Sequence, residues 1–361
     1  MTIKTIAATT AIVATSASTA FAGGIDRHAL GTSILFEDGN YAQISIAHAM
    51  PDVSGTYAPG LGGGTTSNMA LDYSTVGVGL KFNISKKLSA AFIFDQPYGA
   101  NASYISDPYT GLAAEWESNA MTFLAKYQAT EQFSIYGGPR ILRSSAEIAI
   151  PSALFLGGYT ANGSGDTGIG YVIGGAYEKK DIALRVGLTY QSKIDHEFST
   201  TETTAFGPAS TTTNVEMPQS LALDFQSGVA ANTLVFGSIK WTEWSVWSVS
   251  PPLFFGAAGV PVVSFDNDTI TLALGVGRKI NDKLALFGRI GYEEKKGGIS
   301  SRLSPTDGRQ SIGIGANYKI GNTKITGGLE YVKLGDAVDG SGTNFNGNSA
   351  VGLGLSIGHS F

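Results

Sequence analysis

The sequence predicts an all-β fold, a 14-stranded antiparallel transmembrane β-barrel of the outer membrane. Three observations predict it. Apolar residues alternate with small or polar ones in runs of about ten residues, enough to cross a bilayer as a tilted strand. Short polar turns alternate along the chain with long irregular stretches. No segment beyond the extreme N-terminus reads as a membrane-spanning helix.

Composition removes several function classes. Charged residues make up 15% of the 361, against roughly 25% in soluble domains. Gly is high, 48 residues where ~7% is usual. Few charges with 43% hydrophobic residues argue against a disordered chain. Basic residues number 24 against 29 acidic ones, so nucleic acid is not an expected partner. With no Cys there is no disulfide scaffold, no thiol nucleophile and no Cys-ligated metal.

Residues 1–22 read as a secretory signal peptide. Lys4 is the positive start, Thr5 to Thr19 is uncharged, and Ala20-Phe21-Ala22 supplies small residues at a cleavage site. A membrane helix fits worse, because the stretch is rich in Thr and Ser and runs into Gly23-Gly24. Residues 23–40 form a short segment before the first strand, in which Ile25, Leu30, Ile34, Leu35 and Phe36 can make a small apolar stopper. Residues 41–361 are the barrel.

Within the barrel, Val76, Val78, Leu80, Phe82 and Ile84 share one parity, with Gly77, Gly79, Lys81 and Asn83 on the other. The same pattern recurs over Ile182–Thr189, Ile270–Gly277, Leu284–Tyr292 and Val351–Gly358. Short turns fall at Ser85–Lys87, Thr130–Gln132, Lys179–Asp181, Ala231–Thr233, Asn281–Lys283 and Gly321–Thr323. Between them lie the longer stretches Tyr57–Ser67, Gly99–Gly111, Pro151–Gly165, Thr200–Thr212, Ser250–Phe265, Gly297–Gly308 and Gly335–Gly347. Six turns and seven loops join fourteen strands. The uncharged run Val246–Phe265 holds Pro251, Pro252 and Pro261, so it reads as an apolar loop and not a helical span. The chain ends on Phe361, in parity with Leu353, Leu355 and Ile357, as in the signal that barrel assembly machinery reads; His359 stands where an aromatic is more usual.

Other signals are weak. His28, His48, His196 and His359 lack metal-ligand spacing, and no Gly-x-Ser-x-Gly elbow is present. Gly168-x-Gly170 lacks the helix a nucleotide fingerprint needs. No cofactor, metal or catalytic residue is expected. Trp241, Trp244, Trp247, Tyr292 and Tyr331 are candidates for the aromatic girdles at the membrane interfaces.

Several stretches carry a family pattern in order: Ser54-Gly55-Thr56; Gln96-Pro97-Tyr98-Gly99-Ala100; Leu112 to Tyr127; Glu216-Met217-Pro218-Gln219-Ser220; Trp241-Thr242-Glu243-Trp244; and Pro305-Thr306-Asp307-Gly308-Arg309. With fourteen strands around them, the chain resembles the FadL/TodX family of outer-membrane transporters of long-chain fatty acids and hydrophobic compounds. The resemblance implies an extracellular apolar groove, a pocket inside the barrel and a lateral opening near strand three, with passive uptake into the membrane. It departs from the family at the N-terminus: the segment before strand one has about eighteen residues and no Asn-Pro-Ala motif, so the plug is shortened.

Each implied part has candidates. For the groove they are Leu154 and Phe155, between strands five and six, and Phe254 and Phe255, between strands nine and ten. These apolar loops either bind ligand or fold inward and cap the lumen. For the pocket, parity turns Arg140, Lys240 and Arg289 inward. They either meet a ligand carboxylate or pair with lumenal Asp95, Asp224 or Glu243. For the lateral gate, Pro97 removes a ladder donor and Gly99 tolerates a bend, although Pro97 also fits a plain strand end. The expected partners are a hydrophobic ligand, outer-membrane lipid with lipopolysaccharide, and the assembly machinery, around a monomer. The alternative is a general diffusion porin with a water-filled lumen. A barrel enzyme is disfavoured, because no nucleophile motif is present.

Overall fold

The computed structural model describes residues 24–27 and 30–361; the expected leader lies outside them. Fourteen barrel strands follow one another, each antiparallel to the next. They are β1 (Tyr41–Asp52), β2 (Tyr73–Asn83), β3 (Leu88–Asp95, resumed at Gly99–Ser103), β4 (Ala113–Gln128), β5 (Phe133–Ile150), β6 (Tyr159–Lys179) and β7 (Leu184–Gln191, resumed at Ile194–Thr204). The second half comprises β8 (Gly207–Met217, resumed at Ser220–Ala230), β9 (Thr233–Thr242), β10 (Thr269–Lys279), β11 (Leu284–Glu293), β12 (Arg309–Ile320), β13 (Thr323–Leu334) and β14 (Ser349–Ser360). The ring closes where β14 pairs with β1, from Tyr41↔Ser360 to Asp52↔Ser349. Closure matters because hydrocarbon offers no water to an unpaired edge. Among the described residues no helix is long and apolar enough to cross a membrane.

The alternation in the sequence becomes two faces of one wall. Ile44, Ile46, Val276, Ile290, Ile312 and Leu355 project outward and are exposed, whereas Ser45, Thr75, Asn317, Thr326 and Ser356 project inward and are buried. Lipid accepts the first set; the second lines the lumen. The six short turns lie at one end of the ring, the periplasmic end in such barrels. Phe361 projects outward beside Phe82, with ring centroids 6.1 Å apart.

Four expectations about the connections are corrected, the first being Gly99–Gly111, of which Gly99–Ser103 is strand. Thr200–Thr212 is not a long loop: β7 runs to Thr204 and β8 starts at Gly207, so Ala205-Phe206 is a two-residue tip. Its run of β-branched Thr favours extended pairing. Likewise β6 begins at Tyr159, which leaves 151–158 as the connection before it. The 250–265 stretch holds a short helix, α1 (Pro252–Ala258), with Pro251 before it and Pro252 in its first turn, where a missing N–H is harmless.

Trp244 and Trp247 are not girdle residues. Both are buried in an aromatic cluster with Phe265 under the extracellular loops. They sit on a 3₁₀ turn past the end of β9, so strand parity does not reach them. Trp241, Tyr292 and Tyr331 stay on strands near the extracellular end, and the two tyrosines are exposed outward.

Arg in place of Leu274, on the lipid face of β10, is expected to cost roughly 2–4 kcal/mol in reversible unfolding from vesicles. Ser238→Ala, on the lumenal face of β9, is expected to stay within about 0.5 kcal/mol of the wild type.

Candidate functional site

The backbone ladder lapses at one flank of β3. Pairing of β2 with β3 runs from Asn83↔Ser89 to Val78↔Phe94 and then stops. Pro97 has no N–H to give, and one extra residue on β3 intervenes before pairing with β4 resumes at Gly99↔Glu117. Ser118 holds the bulge from the β4 side, accepting from Tyr98 N–H (2.9 Å) and donating to Tyr98 O (2.7 Å). On the β2 side Val76 N–H finds only the Gln96 side-chain oxygen, at 3.0 Å. Pro97 and Gly99 therefore flank an interruption and do not end the strand.

The N-terminal segment approaches this break from inside. Arg27 N–H donates to Pro97 O (2.7 Å) and Gly99 N–H donates to Ile25 O (2.9 Å). Those two bonds satisfy part of what β2 leaves unpaired. Further along, Leu30 N–H donates to Asp95 at 3.1 Å. A 3₁₀ turn at Thr32–Phe36 then packs Ile34 and Leu35 against Ile93, Leu124, Tyr136 and Val172 in the periplasmic half of the lumen. Charges clamp it there. Lys324 meets Glu37 at 2.6 Å, Lys81 donates to the Glu37 and Gly39 carbonyls, and Lys126 stands 4.1 Å from the centre of the Phe36 ring.

Above this segment lies a cavity of about 440 Å³. Arg140, Lys240 and Arg289 all line it, together with Arg27, Arg185, Arg309, Asp26, Asp95, Asp224 and Glu330. Cations outnumber carboxylates on its wall. Of the expected partners Asp95 does act on Arg140, while the ion pairs of Lys240 and Arg289 are with other carboxylates. Lys240 pairs with Asp26 of the N-terminal segment at 3.2 Å, and Arg289 with Glu330 of β13. Arg140 donates to Gln191 while its charge acts on buried Asp95. Glu243 instead accepts from Gln219 at 2.7 Å. Pairing across the lumen depends on which strands face each other, which parity within one strand does not encode. Asp26 was missed; an acid beside Ile25 in a short apolar segment was the available signal.

At the extracellular end the two apolar loops meet. The Phe155 and Phe254 rings stack at 5.2 Å, and Tyr159 adds a ring 5.1 Å from Phe254. Leu154 and Phe155 are partly buried, Phe254 is buried and Phe255 is 47% exposed. Glu202 of β7 positions α1. Its carboxylate accepts from Leu253 N–H and Phe254 N–H, each at 3.1 Å, and from Tyr159 (2.7 Å) and Thr211 (2.6 Å). No sequence motif marked it. On the opposite rim Tyr109 donates to Asp339 at 2.6 Å, and Arg302 pairs with the same carboxylate at 3.3 Å. Burial alone would raise the Asp339 carboxyl, but hydrogen bonds from Ser341, Tyr109 and Thr343 outweigh it and hold the group below the usual carboxylate range.

A closed antiparallel barrel with a lumenal cavity and an N-terminal segment packed inside it is the architecture of an outer-membrane channel. The chain belongs to the outer membrane protein transport protein family (OMPP1/FadL/TodX), whose model matches residues 40–340. It is thus an outer-membrane transporter of hydrophobic compounds. Solved structures share the fold at low identity. A FadL homologue of Pseudomonas aeruginosa is 16% identical, with 95% of this chain and 98% of that chain covered and a TM-score of 0.72. The toluene transporter TodX of Pseudomonas putida is 13% identical, with 95% and 96% covered and a TM-score of 0.67. The toluene transporter TbuX of Ralstonia pickettii is 15% identical, with 90% of each chain covered and a TM-score of 0.62. No curated protein matches the chain.

Glu202→Ala strands two backbone donors of α1 and the Tyr159 hydroxyl. A loss of about 1–3 kcal/mol of local stability is expected, read as faster amide exchange confined to α1 and Tyr159.

Proposed function

We propose that this transporter takes up long-chain fatty acids, or similar hydrophobic molecules with an anionic head, and releases them sideways into the outer membrane. The observation that carries the reading is the cation-rich cavity placed beside an interrupted barrel wall. The apolar chain is collected at the Leu154, Phe155, Phe254 and Phe255 surface. The head then descends to Arg140, Lys240 and Arg289, because a bare carboxylate in a low-dielectric lumen is costly without a charged partner. Each cation already has a polar partner, so the ligand exchanges one pairing for another instead of meeting a naked charge. Release passes between β2 and β3 at Pro97 and Gly99, without entering water.

The segment 24–40 acts as the plug in this reading, which disfavours the diffusion-porin alternative. Its apolar packing and its Glu37–Lys324 pair support that role. Residues 1–22 serve as the export signal. The barrel works as a monomer, is inserted by the assembly machinery and sits against lipid and lipopolysaccharide; its outward apolar face supports the lipid contact.

Oleate binding to purified protein tests the pocket. Arg140→Ala and Lys240→Ala are each expected to weaken it by about 1.5–3 kcal/mol, tenfold or more, and unchanged affinity in both removes the cations from the account. Gly99→Trp tests the exit: oleate transfer by reconstituted protein is expected to stop while binding persists. Vesicles holding the wild type should not swell in small sugars; swelling would favour the porin.

A further inference from the structure

We propose that the Arg27 side chain is the bolt of the break between β2 and β3, drawn back into the lumen by an anionic ligand head. The inference rests on the lateral exit proposed above and names what controls it.

The first observation concerns where Gly99 points. Gly99 lies opposite Glu117 in the β3–β4 ladder, and Asn101 lies opposite Glu115. Directly opposed residues project to the same face of a sheet. Glu115 and Glu117 are exposed on the outer face, while Trp116 between them is buried inside. The position that Gly99 leaves empty is therefore on the outer side of the wall. Arg27 fills it: a Cβ built on Gly99 would overlap the Arg27 guanidinium.

The second observation is that Arg27 belongs to the lumen. Its N–H donates to the Pro97 carbonyl, its neighbour Asp26 pairs with Lys240 across the cavity, and Arg27 itself lines that cavity. The side chain thus reaches from the inner segment into the break. Its Cζ stands 4.3 Å from the centre of the Tyr73 ring on β2. The guanidinium is bounded by Tyr73 on one flank and Gly99 on the other, which are the two edges that the interrupted ladder leaves apart. Glu117 and Glu115, on the outer face of β4, add negative potential on one side of it.

The third observation is that the hold is incomplete. The Arg27 Nε is buried without a hydrogen-bond partner among the described residues. A guanidinium is a fork built for a carboxylate, and a buried donor left unmade is costly. A carboxylate head arriving in the cavity offers that missing acceptor on the lumenal side. Arg27 then leaves the break to pair with it, and the gap between Tyr73 and Gly99 opens when the cavity is loaded. A neutral ester of the same chain offers no such exchange. The bolt therefore also makes exit selective for the charged head.

The experiment uses full-length protein in liposomes, with transfer of oleate and of methyl oleate followed in parallel and folding checked by heat-modifiable migration. In the wild type, oleate is expected to move several-fold faster than its methyl ester. Arg27→Ala is expected to raise methyl oleate transfer to the oleate rate, which abolishes the preference. The double variant Arg27→Ala with Gly99→Trp is expected to be closed to both. Glu37→Ala removes the pair with Lys324, loosens the same segment without emptying the break and should keep the head-group preference. If Arg27→Ala leaves both rates unchanged while Gly99→Trp stops transfer, the bolt is wrong and the lateral exit stands. If Glu37→Ala erases the preference as fully as Arg27→Ala, loosening of the segment explains the effect and the bolt is overturned. Normal transfer with Gly99→Trp removes the lateral exit and this proposal with it.

Discussion

Backbone hydrogen bonding in a medium without water is the constraint on which the rest of this structure depends. Every strand must pair on both sides, and the β14–β1 ladder of twelve residue pairs leaves the ring no edge. Against that requirement the ladder lapses between β2 and β3, as it also does between β6 and β7 from Gly163↔Thr200 to Val172↔Gln191. The first lapse is tolerated because other groups substitute for the missing ladder. Ile25 and Arg27 bond the β3 backbone from inside, Ser118 bonds Tyr98 from β4, and the Gln96 side chain bonds Val76. The N-terminal segment therefore does more than occupy space. It supplies backbone partners to β3 beside Pro97.

A second consequence is electrostatic. A ring wide enough to hold a cavity turns small and polar residues inward, and charges among them must be compensated. Along the lumen the compensation is mostly in pairs from distant parts of the chain: Lys240 with Asp26, Arg289 with Glu330, Lys324 with Glu37, Arg309 with Glu293 at 3.5 Å. Two of these pairs reach the N-terminal segment. Buried pairs contribute little net stability, yet leaving one partner alone is expensive. They fix where the segment sits more than how stable the barrel is.

The extracellular end follows a different logic. There the chain has water again, and loops fold into aromatic packing: Trp116, Trp244 and Trp247 with Phe198 and Phe265, and Tyr57, Tyr104 and Tyr109 on the other rim. Single buried carboxylates organise the two rims. Glu202 anchors α1, and Asp339 gathers Tyr109, Ser341, Thr343 and Arg302. Burying such a charge is affordable only because each is saturated with donors.

The sequence by itself determined the wall. Side-chain direction in a strand reverses at every residue, so local alternation was enough to assign Ile290 to lipid and Arg289 to the lumen, and the alternation of short turns with long loops gave fourteen strands. The same local rule turned Arg140 and Lys240 toward the lumen, whereas Pro97 and Gly99 were singled out by the family resemblance and by proline and glycine chemistry. Where strand geometry ended, the rule lost its hold. Trp244 and Trp247, on a turn past β9, went to a buried cluster, and the Thr-rich stretch 200–212 proved to be strand. Only the tertiary structure decided who pairs with whom. That Lys240 meets Asp26, that Glu202 holds α1, and that Arg27 lies over Gly99 depend on bringing together residues tens to hundreds of positions apart. Those distances are set by closing the ring and threading the N-terminus through it, and no local periodicity records either operation.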